Sequence, residues 1–333
     1  MNFQVYRTHA SSYQDSKYLA NEKKVLEEIN DVSYIQTLQQ YEPGSKIILI
    51  TNTHTDPHLI PERILKETVL MIHPNSGYDN LSDEFRRSAE FPIIIGNPIR
   101  ANAVVEYTMG CMFKHFAPIP NHHHWQTERA YPRKLIRDQN ILILGHGNIG
   151  KILASSLAPL CPKLSVFDPF VEAQHIPYSI HNEWSPALLK NISILICAAS
   201  LNQTSRKILN KSNINELSSE CLILNPARGE LFEEEELIHF LQKNPKSFAY
   251  LDVFEQEPFA PGYGSQVSNL NKTSHIAGMY QRLNNDIISF EFLIIKDFIQ
   301  RFQQNSLSEF KLDYAECILD GNDLDARKIS PST

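Results

Sequence analysis

The chain has few cysteines, no basic block and no long apolar run, and each shortage excludes a class of protein. Its five cysteines among 333 residues are scattered, and no two have the spacing of metal ligands. We therefore expect free, buried thiols in a reducing compartment, the cytoplasm. A net charge of −7 without clustered lysine or arginine argues against nucleic acid or an anionic membrane as the main partner. Neither a membrane span nor a secretory leader is expected, and the predicted ligand is a small molecule.

The order of apolar and amphipathic segments predicts two α/β domains, since the chain exceeds the usual span of one hydrophobic core. In the first part, short apolar runs alternate with a helical pattern: Phe3–Tyr6, a helix near 17–29, Lys46–Ile50 and Val69–Ile72. Such alternation is typical of parallel strands joined by helices. This part therefore predicts a small domain of its own, with a long helix at 103–116 leading out of it.

From residue 105 onward the same alternation predicts a Rossmann-type, doubly wound parallel sheet of about six strands. The apolar runs are 141–144, 164–167, 192–196, 221–224, 248–251 and 272–274, with a helix at 233–242 among the segments between them. An amphipathic helix at 284–302 is expected to return to the first domain, and the last thirty residues to form a loosely packed tail. The expected division is a smaller, flavodoxin-like α/β substrate domain, 1–104 and 282–333, and a dinucleotide-binding domain, 105–281.

A glycine motif between two apolar runs predicts a dinucleotide site. Gly145 permits a tight turn, Gly147 lets a pyrophosphate approach the backbone, and Gly150 lets the following helix pack closely on its strand. Asp168 ends the second run, eighteen residues beyond Gly150, where a carboxylate accepts hydrogen bonds from ribose hydroxyls and repels a 2′-phosphate. The expected cofactor is therefore NAD rather than NADP. A plain structural turn is the alternative for the glycines alone.

Three polar side chains beyond later strands predict acid–base chemistry on a 2-keto or 2-hydroxy acid. Arg228 has the planar, charged fork that binds a carboxylate and polarises a carbonyl. His275 titrates in the range needed to exchange a proton as hydride moves, and Glu257 can favour its imidazolium form. Taken singly, each has a structural interpretation: Arg228 as part of a surface ion pair, Glu257 as a solvated loop acid and His275 as a core histidine. Their order at strand ends, where open α/β sheets bind ligands, favours the catalytic one.

These residues resemble the D-2-hydroxyacid dehydrogenases, a family that includes phosphoglycerate, glycerate, lactate and formate dehydrogenases. The matching segments are Pro74–Asn80, Asn102–Glu106, the glycine motif, Ala227–Gly229, Asp252–Pro258 and His275–Gly278. The resemblance implies an Arg-Glu-His triad of Arg228, Glu257 and His275, and a homodimer formed through the cofactor domain. It also implies that closure of a cleft excludes water before hydride transfer.

The resemblance further assigns binding roles. Asp252 would bind the nicotinamide carboxamide, Thr204 the pyrophosphate, and the backbone of Ser76 and Gly77 the substrate carboxylate. With the glycine motif, the expected cofactor-binding residues are Gly145, Gly147, Asn148, Ile149, Gly150, Asp168, Ala199, Thr204, Ala227 and Asp252. Substrate contacts are expected from Ser76, Gly77, Arg100 and Arg228, where Arg100 either meets a second anionic group of the substrate or forms a structural ion pair.

Some residues depart from the family pattern, and other functions stay open. Ser274 stands where the family usually has proline, and Val105 and Tyr107 replace a commoner alanine and histidine, which leaves the substrate open. One alternative function is an NAD(H)-sensing, corepressor-like binding protein; another is a formate- or phosphite-type dehydrogenase, against which Glu257 argues because formate enzymes of the family have glutamine there. The run His122–His124 is expected to be a surface cluster at a helix end, and no metal site is expected.

Overall fold

The computed structural model describes residues 2–131, 133–171 and 176–319, and the chain divides into two compact units. The first unit consists of Met1–Arg100 and Tyr280–Thr333, and the second of Ala101–Met279. One helix runs through the boundary at residue 100, and the chain re-enters the first unit at Tyr280.

The first unit contains a sheet of five parallel strands. These are β1 (Phe3–Arg7), β2 (Val32–Ile35), β3 (Lys46–Ile50), β4 (Thr68–His73) and β5 (Ile93–Ile95), in the order β2-β1-β3-β4-β5. This is the flavodoxin-like order. The helices are α1 (Ser16–Leu26), α2 (Glu62–Glu67), α3 (Asp83–Ser88), the start of α4 (Asn97–Phe116), α7 (Leu283–Gln303) and α8 (Leu307–Asp313).

Strand β3 shows why this sheet is covered on both faces. Its apolar residues alternate between two cores: Ile48 and Ile50 join a cluster with Phe298 of α7, whereas Ile47 and Leu49 join a cluster on the opposite face. All four strand side chains are fully buried. Continuous apolar strands of this kind are typical of parallel sheets with helices on both sides.

The second unit contains a sheet of seven parallel strands. They are β6 (Ile141–Leu144), β7 (Leu164–Phe167), β8 (Ser179–His181), β9 (Ile194–Cys197), β10 (Leu222–Asn225), β11 (Phe248–Leu251) and β12 (Leu270–Lys272). Their order is β12-β11-β10-β9-β6-β7-β8, with α5 (Asn148–Leu157) after β6 and α6 (Glu234–Lys243) after β10. The order reverses between β6 and β9, and ligands of doubly wound sheets bind at such a switch point, beyond the carboxyl ends of the strands.

Two expectations about elements were wrong. The sheet of the second unit has seven strands rather than six, because the short edge strand β8 is polar and lacks an apolar run. The tail is not loose as far as residue 319: α8 buries Phe310 completely, and Ile318 bridges to Ile94 of β5. Residues 320–333 lie outside the described part of the chain.

Two other expectations can be compared with the described residues. Their five cysteines are free, and four of them are buried. No helix among the described residues is long and apolar enough to span a bilayer.

Candidate active site

The glycine turn after β6 leaves room for a ligand at one glycine and none at the other two. A Cβ on Gly145, whose φ is +99°, would lie 2.6 Å from the backbone of Ala199, and one on Gly150 would lie 2.0 Å from the Gly145 carbonyl oxygen. A Cβ on Gly147 would meet nothing within 4 Å. Because Gly147 directly precedes α5, this open space adjoins the free N–H groups of a helix N-terminus, at Asn148 and Ile149. The turn therefore fits a pyrophosphate.

Asp168 directly follows β7, and its side chain bonds to the backbone of the glycine turn. Its carboxylate accepts hydrogen bonds from the backbone N–H of His146 at 2.7 Å and of Phe170 at 2.9 Å. The side chain of His146 is bonded in turn to the Tyr178 hydroxyl at 2.9 Å. Each oxygen of Asp168 retains a further lone pair, so the residue can still accept from a ribose hydroxyl.

The other predicted cofactor contacts lie on loops that follow strands of the same sheet. Ala199 lies just beyond β9 and packs against Gly145. Thr204 is exposed, and its hydroxyl donates to Asn202 at 2.7 Å. Ala227 is half-buried beyond β10, where its N–H donates to the Asn225 side chain at 3.1 Å. All three lie at the carboxyl edge of the sheet, as a cofactor cradle requires.

Arg228 is presented by a turn that the sequence closes locally. The Asn225 side chain donates to the Arg228 carbonyl at 2.8 Å, which fixes the loop at the end of β10. A Cβ on Gly229 would lie 2.0 Å from the carbonyl carbon of Phe254, so only glycine lets this loop approach the loop after β11 so closely. That loop carries Glu257, and Arg228 is near enough for its charge to lower the pKa of the Glu257 carboxyl.

Glu257 and His275 form a direct pair. The histidine Nδ1 lies 2.8 Å from Oε2 of Glu257, while the other carboxylate oxygen accepts from the Phe254 N–H at 3.1 Å. Burial raises the pKa of the Glu257 carboxyl, but the hydrogen bond from His275, its charge and that of Arg228 outweigh burial and hold the pKa below its ordinary value. The glutamate therefore stays ionised beside a histidine side chain that is 53% exposed.

Asp252 lies beneath the histidine turn and is fully buried. One carboxylate oxygen accepts from the Thr273 hydroxyl at 2.6 Å and the Ile276 N–H at 2.8 Å, and the other accepts from the Ala277 N–H at 2.8 Å. The Asp252 carbonyl accepts from the N–H of His275 at 2.8 Å. The carboxylate thus holds the turn of the catalytic candidate; its contact with a carboxamide stays a prediction.

In the first unit, the loop after β4 is held from two sides. Buried His73 bonds through Nε2 to the Gly77 carbonyl at 2.9 Å and through Nδ1 to the Thr51 hydroxyl at 3.0 Å, and burial lowers its pKa to about 4. Arg100 donates to the Pro74 carbonyl and, at 2.7 Å, to the Tyr13 hydroxyl. Arg100 therefore supports this loop directly, whatever it contributes to the substrate.

One hydroxyl group in the same loop lacks a hydrogen-bond partner among the described residues. The Ser76 Oγ is buried and has no hydrogen-bond partner among the described residues. A buried hydroxyl without a partner is costly, and an incoming carboxylate or phosphate oxygen would satisfy it. The loop whose backbone the resemblance assigns to the substrate carboxylate therefore also contains a side-chain hydroxyl without a partner in the part of the chain that the structure describes.

Sequence reasoning missed the residues that support these loops. Thr273, just after β12, donates to the Asp252 carboxylate, and the hydroxyl of Tyr107 in α4 lies 2.7 Å from the Thr273 hydroxyl. His73 has no motif of its own, and only its place directly before Pro74 could have indicated a role. The cluster His122–His124 is exposed and lies in an irregular segment rather than at a helix end, and no metal-ligand group is found among the described residues.

Comparisons with known proteins show which family the chain resembles. Residues 112–277 match the family model described as D-isomer specific 2-hydroxyacid dehydrogenase, NAD binding domain. A hydroxypyruvate reductase of Thermotoga maritima is 24% identical over 58% of this chain, and an erythronate-4-phosphate dehydrogenase of Wigglesworthia glossinidia brevipalpis is 23% identical over 70% of it. The matches span 64% and 57% of these two relatives, respectively.

A solved structure also shares the fold. A D-isomer specific 2-hydroxyacid dehydrogenase family protein from Klebsiella pneumoniae 342 superposes with a TM-score of 0.71 at 21% identity, covering 91% of this chain and 94% of that one. The chain belongs to the D-isomer specific 2-hydroxyacid dehydrogenase family, and its second unit contains the NAD-binding domain of that family.

Proposed function

We propose that this protein reduces a 2-keto acid to the D-2-hydroxy acid and catalyses the reverse reaction, with NAD as its cofactor. The observation that supports the proposal most strongly is the contact of 2.8 Å between His275 Nδ1 and Glu257, with Arg228 close enough to affect that carboxylate. A base held by an ionised acid, beside a cation, is the equipment for proton exchange at a polarised carbonyl.

The residues of the second unit have separate roles in this reaction. The glycine turn would hold the pyrophosphate and Asp168 the adenosine ribose of NADH, which would supply the hydride to the carbonyl carbon. Arg228 binds the substrate carboxylate and polarises the carbonyl. Because Nδ1 of His275 faces Glu257, its Nε2 is the nitrogen that gives a proton to the carbonyl oxygen. The products would be the hydroxy acid, NAD⁺ and a neutral imidazole, and the same nitrogen would take the proton back in the reverse direction.

The substrate class extends the proposal. The two relatives reported above act, by their names, on hydroxypyruvate and erythronate 4-phosphate, so small keto acids with and without a distal phosphate are the substrates to test. We assign Ser76 and Gly77 to the substrate carboxylate and Arg100 to a second anionic group. We also propose a homodimer that works in the cytoplasm; the exposed apolar side chains Ile119 and Trp125 are surfaces that a second copy would cover.

The test is NADH oxidation by purified protein against glyoxylate, pyruvate, hydroxypyruvate, oxaloacetate and phosphohydroxypyruvate. His275→Asn should lower kcat by about 10²–10⁴-fold, the usual contribution of a general acid, while NADH affinity by fluorescence titration is kept. His123→Asn, in an exposed loop, is the matched control and should behave as wild type. Unchanged turnover in His275→Asn would refute the proposed chemistry, and tight NADH binding without turnover on any acid would favour the cofactor-sensing alternative.

A further inference from the structure

A chain of hydroxyl groups connects helix α4 to the loop that carries His275. The Tyr107 hydroxyl lies 2.7 Å from Oγ1 of Thr273, which lies 2.6 Å from Oδ1 of Asp252. All three residues belong to the second unit. None of them carries out the chemistry proposed above, yet together they end on the carboxylate beneath the catalytic turn.

The direction of each hydrogen bond follows from the chemistry of the groups. An ionised carboxylate only accepts, so the Thr273 proton points to Asp252. Thr273 therefore has no proton left for Tyr107, and the tyrosine hydroxyl must donate to the threonine oxygen. Burial raises the pKa of Tyr107 far above its ordinary value, so this donor keeps its proton throughout the working pH range.

The turn that receives this support is strained and needs it. His275 has a φ of +54°, in the left-handed region that residues with a side chain rarely adopt. The residues on either side of it are tied to Asp252: Thr273 by its hydroxyl, and Ile276 and Ala277 by their N–H groups. The backbone of His275 is thus placed by Asp252, and its ring is oriented by Glu257.

We propose that Tyr107 and Thr273 are positioning residues for catalysis, which act through the Asp252 carboxylate to hold His275 in its productive geometry. The inference rests on the proposed function, since it assigns these residues to the proton transfer by His275. Tyr107, at a position where the family more often has histidine, would thereby help to hold the proton donor His275 in place.

If the three groups act in sequence, the effects of single and double variants on kcat should not be additive. Thr273→Val removes the donor to Asp252 and should lower kcat about tenfold, the effect of about 1.4 kcal/mol. Tyr107→Phe removes only the outer donor and should lower kcat less. Because the proposed effect of Tyr107 on Asp252 passes through Thr273, adding Tyr107→Phe to Thr273→Val should change kcat little further. Thr273→Ser keeps the hydroxyl and should restore most of the activity.

Two readouts separate positioning from general structural damage. The affinity for NADH and the KM for the keto acid should stay within about twofold of wild type while kcat falls, because the loss is confined to the transition state. Hydrogen exchange at the amides of Ile276 and Ala277, which donate to Asp252, should accelerate in the same order as kcat falls. Thr108→Val is the matched control, since that buried hydroxyl of α4 donates to the Val104 carbonyl in its own helix and has no other partner among the residues that the structure describes.

The outcomes decide the two proposals separately. Wild-type kcat and amide exchange in both Tyr107→Phe and Thr273→Val would overturn the positioning role, as would an equal loss in Thr108→Val. If the wild-type protein turns over no keto acid, the proposed function fails, and the exchange rates alone decide whether the hydroxyl chain holds the turn.

Discussion

Replacing Glu291 with glutamine should remove a pH-dependent loss of stability from the first unit. Glu291 is fully buried in α7, and so is Glu22 in α1, and the guanidinium of Arg7 contacts both carboxyl groups. Arg7 lies 3.5 Å from an oxygen of Glu22 and 3.3 Å from one of Glu291. One positive charge cannot balance two buried negative charges, so one carboxyl group must carry a proton.

Hydrogen bonds identify Glu291 as the protonated group. Each oxygen of Glu22 has a donor, the Tyr18 hydroxyl at 2.7 Å for one and the Tyr34 hydroxyl for the other. Oε2 of Glu291 has no donor among the described residues. Burial, followed by the charge of Glu22, raises the pKa of Glu291 well above its ordinary value, and the opposing charges of Arg7 and Arg100 do not cancel these effects.

The sign and size of the effect follow from proton linkage. A group with a raised pKa in the folded state contributes stability that is complete below the unfolded-state pKa and is lost as pH rises through the folded-state pKa. Between the two values, one proton is released on unfolding, and the free energy of unfolding falls by about 1.4 kcal/mol per pH unit. Glutamine has the same shape and no proton to lose. The stability of Glu291→Gln relative to wild type should therefore improve steadily as pH rises.

Thermal or urea unfolding followed by circular dichroism, from about pH 5 to pH 8, measures this slope. Glu62→Gln is the control, because Glu62 is exposed and bonds to Lys66, and its effect should not change over that range. Other titrating groups cancel in the difference between each variant and wild type. A difference for Glu291→Gln that stays constant with pH would refute the protonated state assigned to Glu291.

Two further predictions concern the cofactor site. Gly150→Ala should lower the free energy of unfolding by about 1–3 kcal/mol, because its Cβ would overlap the Gly145 carbonyl. Gly147→Ala should unfold like wild type, because its Cβ would occupy open space, but it should bind NADH less tightly, because that space is the one assigned to the pyrophosphate. Equal unfolding curves for the two variants would contradict this distinction. Asp168→Ala should weaken NADH binding and narrow its advantage over NADPH in parallel fluorescence titrations, and an unchanged ratio would mean that another residue selects the cofactor.

The sequence is a good guide wherever a strand is buried on both faces. The run Ile141–Leu144 predicts β6 with its bounds, and Lys46–Ile50 predicts β3, because a continuous apolar segment has one favourable environment. β8, at Ser179–His181, could not be found in this way because it lies at a sheet edge and carries a polar pattern. The position of α8 likewise depends on Phe310, the one buried side chain in that short helix.

Some residues of the candidate site likewise have local sequence patterns, and others do not. Gly145, Gly150 and the pair of Glu257 and His275 have local patterns that name their roles, and the structure places that pair in contact. Tyr107 is different, since its partner Thr273 is 166 residues away in the chain and no local pattern connects them. Contacts of this kind depend on how α4 packs against the sheet, which follows from the whole core rather than from any segment.

Exposure distinguishes the residues that react from those that position them. Asp252 is completely buried, and its carboxylate accepts from Thr273, Ile276 and Ala277, whereas the side chains of Glu257 and His275 are 37% and 53% exposed. A group that exchanges protons with a substrate must be reached by it, but a charged group that holds a turn is most effective when buried and fully bonded, because a low dielectric strengthens each of its hydrogen bonds. The same argument explains why loss of a hydroxyl beneath His275 should affect turnover more than binding.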